Sequence, residues 1–415
     1  MVVRYAVQCP GCNAKILLRL GVGNDQQQPF FYVCGKCRAA TKGVLSLNEL
    51  SKTGTELKLE DGQLLTSDEG CTQTIHLHPD FPGTPDETEL DKSAFMFHAS
   101  ILGIDEIVAF EQKIGLFDTF VKEDWPALRR LTTYYMNRDW GHFDSGLNVL
   151  ISDGIPKNMS EMMRHDFIHK IYDHAFLPFI SLGPPYYPNM RAECNSIWGA
   201  KDTIQSMVAY AVREYANPEF VQLQRDLFSL LELYIDLRRT IAAGLLLDRY
   251  PSTAVEKRAT LRLFRDDFVS LRDFYIQVFE QCHRALRYIV GAVNMSKRGD
   301  ENKFPAWPSP PYGRPPAQLG SMGAFSDLVN ANKRIWLKML PVWDSHWDEF
   351  FDRSLRNDIG HASVRHRLSD GALERSNGTL LPYLDFVRIA SRSLIPLLAV
   401  LNFMKMHLIF ATHKP

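Results

Sequence analysis

The chain has 415 residues and a mass of 47.5 kDa, with 45% apolar, 23% charged and 11% aromatic side chains. That usage excludes a mainly disordered, collagen-like or low-complexity protein and suggests two or three domains. The formal charge is −1, from 47 Lys and Arg against 48 Asp and Glu, so any signal for an anionic partner has to be local rather than a property of the whole-chain field.

The first motif lies at the N-terminus. Cys9-Pro-Gly-Cys12 and Cys34-Gly-Lys-Cys37 are two CxxC pairs separated by 21 residues, a spacing that reads as one tetrahedral zinc site with four thiolate ligands and a structural role. A tight turn aims two thiolates at one point, and Gly11 and Gly35 sit where such a turn needs them. The short apolar runs Ala14 to Leu20 and Phe30 to Val33 suit two strands, so residues 1 to 43 are expected to form a zinc ribbon.

Residues 1 to 43 carry six basic side chains against Asp25, whereas 44 to 91 carry eleven Asp and Glu against Lys52 and Lys58. The acidic stretch is expected to be a solvated connector of β character, residues 44 to 90, with a hairpin over Thr55 to Thr66 around Asp61-Gly62 and a strand at Thr72 to His78. His76 and His78 are expected to be surface or packing residues.

From Asp91 the apolar period becomes helical, and helices are expected over 91–114, 117–138, 160–177, 193–215, 217–248, 252–297, 323–362 and 380–412. The fold class is thus mainly α, with a helical middle domain over 91–250 and a helical domain over 251–415. Breakers at Ser181 to Pro188 and Phe304 to Pro316 separate helices, the second as a stiff loop. The aromatic residues of 117–140 and 210–234 recur at core intervals. The longest apolar run, Leu394 to Met404, contains Pro396 and Asn402 and is shorter than the roughly 20 residues that span a bilayer. Because MVVRYAVQCPGC also lacks an apolar leader, a cytoplasmic protein without a membrane partner is expected.

Near the C-terminus stands Leu355-Arg-Asn-Asp-Ile-Gly-His-Ala362, after a segment rich in aromatics (Trp343, Trp347, Phe350, Phe351) and before a polar segment, Ser363 to Thr379, and a long apolar helix. This arrangement resembles the HEPN superfamily, whose Arg-polar-x3-His motif sits late in a helical bundle ahead of a turn and a final helix. The resemblance covers about Ser252 to Pro415. It implies a HEPN-like bundle and a metal-independent endoribonuclease, in many members a toxin or an antiviral-defence effector, that forms a homodimer to bring two motifs together. It also implies Arg356, Asn357 and His361 as the catalytic residues.

The chemistry of these side chains agrees with that role. On a helix Asn357 and His361 share a face and the long arm of Arg356 reaches the same place. His361 titrates near neutrality and suits a proton role at the 2′-hydroxyl or the leaving 5′-oxygen. Arg356 offers a permanent bidentate fork to phosphate, and Asn357 would orient phosphate or imidazole. One imidazole does not easily serve as both base and acid, which gives a motive for pairing two copies, with the apolar helix 380–412 as the expected surface. Around the motif, Arg353, Arg365 and Arg367 add positive charge against Asp358 alone and are candidate RNA-binding residues. A second Arg-x4-His match, Arg164 to His169, lacks the following polar turn and apolar helix and is expected to be a charged solvent face. The competing reading is a non-catalytic scaffold in which ribbon and helices bind nucleic acid or a protein.

Overall fold

The computed structural model describes every residue except 24, 49–53, 85–92, 152–154, 157, 183–184, 200, 314, 316, 361–362 and 414–415. The chain is mostly helical, with a small β region at its N-terminus. It folds as two compact units, each assembled from three chain segments: Met1–Gln112, Asp236–Asp273 and Asn357–Ser391 form the first, and Lys113–Ile235, Phe274–Arg356 and Arg392–Pro415 the second.

The first unit holds all the described strands: β1 (Val2–Gln8), β2 (Lys15–Gly21), β3 (Gln27–Val33), β4 (Ala40–Leu47), β5 (Thr55–Leu59), β6 (Gln63–Leu64), β7 (Gln73–Leu77), β8 (Arg365–Arg367), β9 (Ala372–Glu374) and β10 (Leu380–Pro382). They form three sheets, ordered β6-β1-β2-β7, β3-β4-β5 and β10-β9-β8. Only the β2–β7 pair is parallel among them. Alternation drives the burial: Ile16, Leu18 and Leu20 of β2 point inward to meet Val3, Val7, Phe31, Tyr32, Leu45 and Ile75.

The expected hairpin over Thr55–Thr66 is corrected. The turn exists, with Gly62 at φ 116°, but the chain changes sheets there: β5 pairs with β4 and β6 with β1. Alternation reports which face a residue takes and does not name the partner strand. The polar segment Ser363–Thr379 likewise forms β8 and β9 of a three-stranded meander rather than a plain turn.

The helix expected over 252–297 is interrupted. Helix Val255–Thr260 ends, the chain runs on through residues 261–267, and a helix resumes at Phe268–Arg298. The intervening strap is held by backbone bonds, Gly83 N–H to Arg262 C=O (2.9 Å) and Phe31 N–H to Phe264 C=O (2.9 Å). Arg239, 3% exposed, anchors helix Arg238–Leu247 to this β module, because Asp25 (3.2 Å) and Asp80 (3.7 Å) neutralise it.

The second unit is helical. Its helix Leu394–Thr412 packs on Glu161–Ile180, Tyr186–Trp198 and Ile204–Tyr215 and is buried on every side from Leu394 to Lys405. The expectation that this helix offers a dimer surface is therefore corrected for residues 394–405, whose side chains are already buried. By length and composition alone Tyr383–Thr412 could cross a membrane, but 78% of its most apolar window is buried inside the fold. The expected helix 323–362 breaks at Leu340, where Pro341 starts Pro341–Phe350, and the carboxylate of Glu193 caps that start by accepting from Val342 and Trp343 N–H (both 3.1 Å). Phe117, Phe228 and Tyr234, from the two aromatic runs expected to pack, are buried together with Tyr172 and Phe176.

Candidate functional site

Each cysteine pair stands at the tip of a hairpin, the first between β1 and β2 and the second between β3 and β4. The two tips repeat one geometry. The N–H of Asn13 donates to Cys9 C=O (2.9 Å) and that of Arg38 to Cys34 C=O (2.8 Å), while Cys9 and Cys34 N–H donate to Ala14 and Ala39 C=O (both 2.9 Å). The left-handed residue in each is Asn13 (φ 59°) or Arg38 (φ 62°), not the glycine. Glycine matters here for space: a Cβ on Gly11 would stand 3.3 Å from Cys37 Sγ. Gly35 N–H donates to Gln73 Oε1 (3.0 Å), where a Cβ would collide with that amide.

The four thiol sulfurs lie within 4.8 Å of one another, with Cys9–Cys37 at 3.6 Å and Cys12–Cys34 at 3.7 Å. A tetrahedral site with metal–sulfur bonds of about 2.3 Å needs sulfurs about 3.8 Å apart, so the cluster fits one thiophilic cation and is compatible with zinc. All four cysteines are free thiols. Burial pushes Cys9 up to about 12, whereas the Ala39 N–H holds Cys37 down to about 7. The module is gripped within its unit by the two later segments: Lys42 Nζ lies 2.8 Å from Asp266 Oδ2, and Arg38 Nη2 donates to Ser369 C=O (2.9 Å).

The second candidate cluster starts on the short helix Arg353–Gly360. Leu355 and Ile359 are its buried positions, and Arg353, Asn357 and Gly360 are exposed. The division between the two units falls between Arg356 and Asn357. Arg356 pairs with Glu280 and places its guanidinium 5.7 Å from the centre of the Phe279 ring. His361 lies outside the described residues. Asp358 accepts from Arg375 and from Ser376 Oγ (3.0 Å), tying the end of the helix to the meander.

The basic side chains around the motif are partly committed. Arg367 pairs with Asp370 (2.6 Å), and Arg353 lies 5.0 Å over the Tyr312 ring. Arg353 and Arg365 have no carboxylate partner among the described residues. The acid that neutralises Arg356, Glu280, comes from elsewhere in the chain, and the partner of Arg367, Asp370, stands three residues beyond the cluster.

The second match is corrected: it is not a solvent face. His165 and His169 are both 3% exposed, His165 Nδ1 is 2.7 Å from Tyr135 OH, and His169 Nε2 is 3.4 Å from Gln224. Arg164 makes a two-pronged ion pair with Asp144 (2.7 and 2.6 Å). His76 is buried at 8% exposed, and His78 packs on Phe81. Comparison of the chain with protein-family models, with curated proteins and with solved structures finds no match.

Proposed function

We propose that this chain is a metal-independent endoribonuclease of the HEPN kind, in which His361 moves the proton, Arg356 carries phosphate charge, and Asn357 orients one or the other. The four-cysteine cluster holds zinc in a structural role. Arg353, Arg365 and Arg367 contact RNA, and the active form is a cytoplasmic homodimer that acts as a toxin or in antiviral defence. The observation that carries the reading is the placement of Arg356 and Asn357 on a partly exposed helix followed by the meander and by the apolar helix Leu394–Thr412, the order expected of that family's motif.

The test is cleavage of single-stranded RNA by the purified chain in EDTA, with 2′,3′-cyclic phosphate and 5′-hydroxyl ends. Arg356→Ala and His361→Ala should each lower the rate roughly 10²- to 10⁴-fold at unchanged Tm. Arg356→Lys should also fail, because an ammonium lacks the fork. One observation favours the scaffold reading, namely that Arg356 is already paired with Glu280; absence of cleavage with RNA binding intact would establish it.

A further inference from the structure

The proline-rich loop that ends near residue 316 has a role the motif does not use. Within the second unit it helps enclose an open cleft of about 380 Å3, the size class of a site for one small organic ligand. The cleft wall is aromatic, from Phe279, Tyr312, Trp347 and Phe351, and its rim carries Arg334, Lys338 and Arg353.

The three cations are not equivalent. Arg334 is held by Asp344 and by Asp348 (3.1 Å), so its charge is already balanced. Lys338 donates to Ser309 Oγ, and neither it nor Arg353 has a carboxylate partner among the described residues. These two leave positive charge beside an aromatic wall.

Tyr312 is 59% exposed, yet its backbone is fixed from both sides. Its N–H donates to Asn332 Oδ1 (2.7 Å), and Asn332 Nδ2 donates to its carbonyl (3.0 Å). Asn332 is itself buried. A large exposed ring on a pinned loop, with the Arg353 guanidinium 5.0 Å from its centre, is a stacking surface whose ordering cost is already met in the free protein. The aromatic wall is fixed as well: His283 stacks on Phe279 at 4.1 Å, and its Nδ1–H donates to the Phe279 carbonyl (2.7 Å).

We propose that this cleft binds a nucleoside phosphate, with the base stacked on Tyr312 and the phosphate held by Arg353 and Lys338. The flat ring answers the aromatic wall, and the anion answers the two cations that have no carboxylate partner among the described residues. The ligand is either a free mononucleotide or one nucleotide of single-stranded RNA. The site needs neither His361 nor cleavage, and so goes beyond the nuclease reading, with which it shares only Arg353.

The experiment is calorimetric titration of the full chain carrying His361→Ala, so that RNA is not consumed, with AMP, adenosine, inorganic phosphate and a single-stranded adenine hexaribonucleotide. Saturable binding of AMP or the hexanucleotide is expected, tighter than that of adenosine or phosphate alone. Tyr312→Ala should weaken it at least about fivefold. Arg353→Ala should weaken it comparably and flatten its salt dependence. Both residues are exposed, and the Tm of each variant verifies the fold. A hexanucleotide at least tenfold tighter than AMP assigns the site to RNA, and a smaller difference assigns it to free nucleotide. No binding up to millimolar ligand, or binding that survives both substitutions, overturns the proposal. RNA cleavage by the unsubstituted chain is scored separately, so either reading can fail alone.

Discussion

His366 Nδ1 lies 2.9 Å from Asp266 Oδ1. The other oxygen of the same carboxylate accepts from Lys42 at 2.8 Å, so one acid on the strap 261–267 joins β4 of the cysteine module to β8 beyond the motif. The His366 hydrogen bond, with help from Lys42, holds Asp266 well below the usual carboxylate range. Asp266→Asn should cost about 1.5–3 kcal/mol, the range for hydrogen bonds to charged groups, read as a lower denaturation midpoint. A variant as stable as the parent would mean that these contacts contribute nothing net.

Acid should destabilise the chain through two mechanisms that begin at different pH. Burial pushes the imidazoles of His98 and His283 down to about 4, and those of His165 and His407 down to about 3, from an ordinary value of 6.5. Between 6.5 and those values the unfolded chain binds more protons, so stability falls as pH falls, by up to about 1.4 kcal/mol per pH unit for each group. The folded value of Asp266 is lowered instead, so its contribution is complete above its ordinary value of 3.8 and is lost only below it. Urea midpoints measured from pH 7 to pH 3 should decline already near pH 6; a flat profile down to pH 4.5 contradicts the buried-imidazole account.

Arg239→Ala removes the counter-ion that Asp25 and Asp80 share at the foot of helix Arg238–Leu247, leaving Asp25 to Arg238 (3.0 Å). Because removing one partner of a buried pair costs about 3–5 kcal/mol and Asp25 keeps some contact with water, the lower end is expected. Arg239→Lys retains the charge, loses the fork and should recover part of the loss. Thermal melting distinguishes the three proteins.

Glu280→Gln should release Arg356 from its ion pair. If Arg356 serves phosphate, RNA binding should tighten several-fold at low salt, with a steeper dependence of affinity on salt. Unchanged binding would show that Glu280 does not compete with RNA.

Metal analysis should return one zinc per chain, and Cys34→Ser should lower it. Because Lys42 and Arg38 grip the strap and the meander, metal loss should raise hydrogen exchange at 261–267 and 365–371 as well as in the ribbon. Exchange confined to residues 1–47 would show that the module is energetically separate.

The cysteine cluster was legible because its spacing and its chemistry are the same information. Strands β1 and β4, which complete the two hairpins, are 7 and 8 residues long, yet the sequence did not single them out. The strap was misread for a physical reason: Leu261, Phe264, Phe268 and Leu271 keep helical spacing across it, and only distant backbone partners, Gly83 and Phe31, decide for extended chain. His165 and His169 were misread because polar residues in a helix suggest solvent, while Tyr135 and Gln224, whose positions only the fold reveals, each meet one of their ring nitrogens inside. The run Arg356-Asn357 was visible at once, but the pairing of Arg356 with Glu280 depends on a helix far earlier in the chain.

The interleaving of the first unit sets a timetable for its birth. Its opening segment ends at Gln112 and its closing segment at Ser391, so at about 5–20 residues per second the ribosome takes roughly half a minute between them. During that interval the nascent cysteines can already capture metal, while Phe31 and Lys42 wait for the strap and then for β8. A ribosome stalled before residue 357 would display a cysteine module that has met the strap 261–267 but still lacks β8, vulnerable to proteases and dependent on chaperones. Truncation from the C-terminus should therefore harm the N-terminal strands first in yield, although no residue among them has been altered.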